Sequence, residues 1–233
     1  MTSRSESRRA PAKLTLSLRV VGVRDDGMHL VDAEMVTLDF ADELVFTVPG
    51  RNDLPDDDLV TQALRAVGRG EDVHVALRKV IPAGAGLGGG SADAAAVLRW
   101  AGCDDLGVAA ALGADVPFCL VGGRARVRGV GEVVEPLPFG DAVFTLLTPP
   151  VHVSTPAVYA EWDRLGGPDD PLGRNDLEPA AVSLVPELAG WRDRLGDATG
   201  EVPQLAGSGG TWFVRGGFPD AVPGAVVTRT AHP

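Results

Sequence analysis

The sequence predicts an α+β protein of two lobes, on three observations. Strand-like alternation of apolar and polar side chains stands before helical patterns in each half. A glycine-dense stretch runs straight into an alanine-rich helix in the first half. The segment Pro136-Leu-Pro-Phe-Gly140 reads as a connection between the halves. Residues 1–9 are therefore read as a mobile Ser/Arg-rich tail, 10–137 as a first lobe and 138–233 as a second. A chain of 233 residues buries a real core as one body or as two modest lobes.

Lys13 to Val23 places Leu14, Leu16, Leu18 and Val20 on alternate positions, the pattern of a half-buried strand. Asp25-Asp26-Gly27 is a turn, and Glu34 to Phe40 and Leu44 to Val48 resume strand character. Pro49 to Asp58 reads as loop. Leu59 to Val67 reads as a helix, with Leu59, Ala63, Leu64 and Val67 on one face. Val73, Val75 and Leu77 alternate as a strand that ends by Pro82. Beyond the glycines, Ala94 to Trp100 and Leu106 to Leu112 are helical, the second stopped by Gly113. Val121 to Glu135 is hairpin-like. The second half holds a strand at Ala142 to Leu147, helices near Ala157 to Arg164 and Glu187 to Leu195, and a strand after Gly210.

Composition narrows the function. Hydrophobic content of 45% with 23% charged residues is that of a globular protein rather than a disordered one. No apolar run approaches the ~20 residues of a membrane helix, and no signal-peptide pattern opens the chain. A net charge of −11 repels nucleic-acid backbones and acidic membranes, so neither is expected as a partner. Cys103 and Cys119 lack metal-ligand spacing and sit among apolar neighbours, as buried free thiols of a reducing cytoplasm would.

The stretch Pro82-Ala-Gly-Ala-Gly-Leu-Gly-Gly-Gly-Ser-Ala-Asp93 carries the most chemistry. Glycines let main-chain N–H groups approach a ligand with no Cβ in the way, and a following helix adds its dipole. Ser91 is placed to cap that helix, or to offer its hydroxyl to phosphate or Mg²⁺. A P-loop is excluded, because no lysine follows the glycines. Gly84-x-Gly86-x-x-Gly89 satisfies the dinucleotide pattern, yet Pro82 disfavours the tight strand-to-turn entry of that fold. A flexible turn is the plainest alternative.

Pro82 to Ala95 resembles the phosphate-binding signature of the galactokinase, homoserine kinase, mevalonate kinase and phosphomevalonate kinase (GHMP) superfamily. The form Gly-Leu-Gly-Gly-Gly-Ser-Ala-Asp-Ala-Ala is most similar to one branch of it, isoprenoid-pathway kinases whose substrate carries a cytidine head group. Ala10-Pro-Ala-Lys-Leu14, Asp26-Gly-Met-His29, Gly113-Ala-Asp-Val-Pro-Phe118, Asn175 to Ala181 and Gly207-Ser-Gly-Gly-Thr211 resemble further motifs of that branch, in its order, from Ala10 to about Val214. The resemblance implies a first lobe like domain 2 of ribosomal protein S5, a ferredoxin-like second lobe, and a cleft between them that takes ATP, Mg²⁺ and a small alcohol. A monomer and a homodimer both fit.

By that resemblance Lys13 and Asp115 are the catalytic pair, Asp115 taking the proton of the acceptor hydroxyl. Alone, Asp115 could equally be a helix-end aspartate, and Lys13 a lysine on a solvated strand face. Pro82, Ala83, Gly84, Ala85, Gly86, Leu87, Gly88, Gly89, Gly90, Ser91 and Ala92 would bind ATP, with Ser91 also the candidate metal ligand. Thr15, Met28, His29, Thr155, Pro156, Gly207, Ser208 and Gly209 would bind substrate. Two of these depart from the branch: Met28 replaces its usual aromatic and Thr15 its usual asparagine. Losing a stacked ring forfeits ~1–3 kcal/mol, part of which a thioether recovers. The chain is also shorter than is usual for the branch, chiefly near its end. Rival readings are a kinase of the same fold acting on another small alcohol, a nucleotide-binding member without turnover, and a nicotinamide-binding dehydrogenase.

Overall fold

In the computed structural model, which describes residues 3–169 and 174–232, two 20-residue antiparallel strands organise the first half. β1 (Arg4–Val23) and β2 (His29–Val48) pair from Arg4 opposite Val48 to Val23 opposite His29. This corrects one expectation: residues 4–9 are strand, not tail. Their Ser and Arg side chains are the outward residues of a solvated ribbon, where Ser5 meets the Thr47 hydroxyl and Ser7 donates to Glu43. Met1 and Thr2 of the expected tail, and Pro233 at the other end, lie outside the described residues.

β2 also runs unbroken through residues 41–43, where the sequence reads as a gap. Asp42 is fully buried there, its carboxylate accepting from the amides of Val80 and Ile81. α1 (Leu59–Ala66) follows, capped by the Asp58 carboxylate on the Val60 amide. β3 (His74–Arg78) pairs with the far end of β2. α2 (Gly89–Trp100) is the alanine-rich central helix. Ala92, Ala94, Ala95 and Ala96 are buried, and their small side chains let α2 sit close to β1 and α1. α3 (Leu106–Leu112) and α4 (Val116–Val121) lead to β4 (Arg124–Gly129) and β5 (Val133–Pro136), which complete a sheet of order β1-β2-β4-β5 with β3 on β2.

β6 (Val143–Leu147), α5 (Thr155–Arg164), α6 (Glu178–Leu184), α7 (Glu187–Thr199), β7 (Gln204–Leu205), β8 (Trp212–Arg215) and β9 (Val226–Arg229) form the remainder. Their antiparallel sheet has the order β7-β8-β6-β9. An apolar wedge joins the two sheets: Leu14, Val36, Leu38, Ile81 and Leu87 from the first half pack with Phe144, Leu146, Ala206 and Phe213 from the second. The backbone crosses the same boundary, with Leu18 N–H donating to Arg174 O (2.8 Å) and Asp176 N–H donating to Leu18 O (2.9 Å). No helix among the described residues is long and apolar enough to cross a membrane.

Candidate active site

The glycine stretch folds as a loop clamped from two sides. Gly86 adopts a left-handed backbone (φ +76°), and a Cβ there would press on the carbonyl oxygens of Ala206 and, at 2.7 Å, Gly209. Gly88 (φ +67°) would drive its Cβ to 2.8 Å from the Lys13 side chain. The loop is tied to its neighbours by Lys13 N–H donating to Leu87 O (3.0 Å) and Thr211 N–H to Ala85 O (3.2 Å).

Gly88, not Ser91, is the residue that enters α2, and no side chain caps this helix. Ser91 lies in the first turn, too far along to serve as cap. The first bond of the helix is donated by the Ala92 amide to the Gly88 carbonyl (2.8 Å), so the amides of residues 89–91 remain as donors for a ligand.

Lys13 is almost fully buried, with Nζ 3.3 Å from Asp115 Oδ2 and donating to Thr15 Oγ1 at 3.1 Å. Thr15 thus holds the lysine. Asp115 stands at the N-terminus of α4 without capping it, which leaves its carboxylate facing the cleft.

A cleft of about 1030 Å³ gathers these groups. It is lined by Lys13, Thr15, Met28, His29, Asp115, Thr155, Pro156, Gly207, Ser208 and the loop from Pro82 to Ser91, except Leu87. Leu87, Ala92 and Gly209 do not line it. Leu87 fills the apolar wedge, Ala92 packs inside the first-half core, and Gly209 supports Gly86 from behind. A smaller cavity of about 390 Å³ flanks the loop near Phe40, Pro149 and His152.

Four cleft residues escape sequence reasoning. Tyr159 lies tilted against His29 (ring centroids 4.7 Å), and Asp163 Oδ1 lies 2.9 Å from His29 Nε2. With Thr155 they stand four residues apart on α5, so one helix face presents all three, and that spacing was the readable signal. Burial pushes the Tyr159 hydroxyl up to about 12, so it stays neutral. Lys79 reaches both Asp42 (2.5 Å) and Asp93 (2.6 Å) beneath the loop. Burial outweighs the Lys79 charge and pushes the Asp93 carboxyl up to about 7. Its Oδ1 has no hydrogen-bond partner. Cys119 is buried, its thiol pushed up to about 12 by burial, and plays no nucleophilic part.

The family model for the GHMP kinases N terminal domain matches residues 58–123, which span α1, the glycine loop, α2 and Asp115. Fold and cleft together define an ATP-dependent small-molecule kinase of the GHMP class. A 4-diphosphocytidyl-2-C-methyl-D-erythritol kinase of Cereibacter sphaeroides is 39% identical, covering 96% of this chain and 94% of its own. One of Paracoccus denitrificans is 39% identical over 88% of this chain and 84% of its own. A crystal structure of 4-(cytidine 5'-diphospho)-2C-methyl-D-erythritol kinase superposes with a TM-score of 0.82 at 33% identity, covering 97% of this chain and all of the other. Homoserine kinase from Cytophaga hutchinsonii shares the fold at a TM-score of 0.58 and 19% identity, covering 97% of this chain and 96% of its own. The chain belongs to the 4-diphosphocytidyl-2-C-methyl-D-erythritol kinase family.

Proposed function

We propose that this chain transfers the terminal phosphoryl group of ATP to the 2-hydroxyl of 4-diphosphocytidyl-2-C-methyl-D-erythritol, in the non-mevalonate route to isoprenoids in the cytoplasm. The observation that carries the reading is one cleft holding both an uncapped helix N-terminus behind a glycine loop and the Lys13–Asp115 pair.

The amides of residues 89–91 and the α2 dipole hold the phosphate oxygens by geometry, which a chain of net charge −11 requires. Asp115 accepts the hydrogen bond of the acceptor hydroxyl and takes its proton as the oxygen attacks. Lys13 orients that hydroxyl and offsets charge on the moving phosphoryl group, with Thr15 fixing the ammonium. Phosphoryl transfer has a loose transition state, so positioning and charge outweigh early deprotonation.

Mg²⁺ fits the cleft: the Ser91 side chain lines it in the first turn of α2 and offers a hard oxygen donor beside the loop. When bound, it would neutralise charge on the β- and γ-phosphates. At the substrate end, Tyr159 supplies the aromatic surface that Met28 lacks, and His29 faces the same space. The two domains are proposed as 10–137 and 138–233, with residues 4–9 joined to the first.

Steady-state assay with ATP and the cytidyl substrate tests this. Asp115→Asn should lower kcat by ~10²–10⁴ with KM for ATP nearly unchanged. Near-normal turnover in that variant would remove Asp115 from the mechanism.

A further inference from the structure

Asp163 has no part in the mechanism above, yet it is the hydrogen-bond partner of His29 at the substrate end of the cleft. The two come from opposite halves of the fold, His29 from the start of β2 and Asp163 from the last turn of α5. The His29 side chain is 11% exposed and held on two further sides. Tyr159 lies tilted at 4.7 Å, and Trp162 meets the ring edge-on at 5.6 Å and 85°. Its orientation is fixed.

A carboxylate only accepts hydrogen bonds, so the proton between the two groups belongs to Nε2. In a neutral imidazole that leaves Nδ1 as a bare acceptor. Nδ1 has no hydrogen-bond partner among the described residues. We infer that Asp163 is the positioning residue that locks His29 into the Nε2–H tautomer, and thereby selects the base of the substrate. The inference rests on the cytidine reading above and adds to it the group that enforces it. At ring position 4 cytosine presents an amino donor and uracil a carbonyl acceptor. An acceptor at Nδ1 matches the first and sets lone pair against lone pair with the second.

The probes are cytidine 5′-monophosphate (CMP) and uridine 5′-monophosphate (UMP), binding to the full chain by calorimetry at pH 8, with ¹⁵N imidazole spectra of the free protein. Wild type should show the Nε2–H tautomer and prefer CMP. Asp163→Asn can offer an amide N–H to Nε2 and turn the ring to the opposite tautomer. It should erode the CMP preference by about tenfold, the worth of one charge-assisted hydrogen bond. Asp163→Ala should erode it in the same direction and release the tautomer, while Asp163→Glu should restore part of it. The Asp163 side chain is 52% exposed, so these changes empty no packed space. A CMP preference that survives both Asp163→Ala and Asp163→Asn sinks the inference alone, as does an Nδ1–H or doubly protonated ring in wild type at pH 8. A wild type that binds neither nucleotide sinks the cytidine reading and this inference with it.

Discussion

At the scale of single residues, the chemistry concentrates where charge is buried. Asp93 is the clearest case, a nearly inaccessible carboxyl that shares Lys79 with Asp42. Its folded value of about 7 stands above the 3.8 of an ordinary aspartate, so the folded protein holds the proton over a range in which the unfolded chain has lost it. The resulting contribution to stability is complete below about pH 4 and disappears as pH climbs through about 7. Thermal melts of wild type and Asp93→Asn from pH 4 to 8 should therefore converge or cross. Wild type should lose on the order of a few kcal/mol relative to the variant over that span. Parallel melting curves would refute the assignment. Lys13 and Asp115 were legible in the sequence because each sits in a contiguous motif with family likeness. Asp93, Lys79 and Asp42 were not, because residues so far apart in sequence are brought together only by β2 folding back over the loop.

At the scale of elements, the glycine loop is the part whose backbone cannot be exchanged. Gly86 and Gly102 share nearly the same left-handed φ (+76° and +73°), but only Gly86 has carbonyls where a Cβ would stand. Gly102→Ala should cost about 1 kcal/mol and leave KM for ATP unchanged. Gly86→Ala should cost ~1–3 kcal/mol beyond that and raise KM for ATP, since the loop must lift off the 206–209 turn. Calorimetric melts with ATP titrations measure both, and equal effects at the two sites would contradict the clamp. Sequence patterns located the longer helices and the interiors of the two long strands. α4 and α6 each carry a proline in the first turn, which reads as a break in the chain, whereas α3 of similar length is bounded by Asp105 and Gly113 and was legible. The charged start of β1 failed to register because a ribbon exposed to water needs no apolar alternation.

At the scale of the whole molecule, two antiparallel sheets behave as one body. The apolar wedge between them is reinforced where Asp176 accepts from Arg19 Nε (3.0 Å) and the Val20 amide (2.9 Å), and where Asp39 accepts from the Thr228 hydroxyl and the Arg229 amide. Leu38→Ala, deep in the wedge, should cost ~2–5 kcal/mol and still give a single thermal transition, because neither half keeps a dry face without the other. Two resolved transitions would show that the halves unfold separately. The two-lobe α+β class was readable from element order. The strand order within each sheet was not, since register across sheets is set by side-chain packing that local patterns do not encode.

The wedge has a consequence for how ligands are received. A hinge needs a thin, hydrated joint, and here the joint is filled with leucine and phenylalanine. The second-half wall of the cleft, with Thr155, Tyr159, Gly207 and Ser208, is consequently set against the first-half glycine loop and Asp115 before anything binds. The entropic cost of assembling them is met during folding, which leaves only the mouth-lining side chains to settle around an arriving substrate.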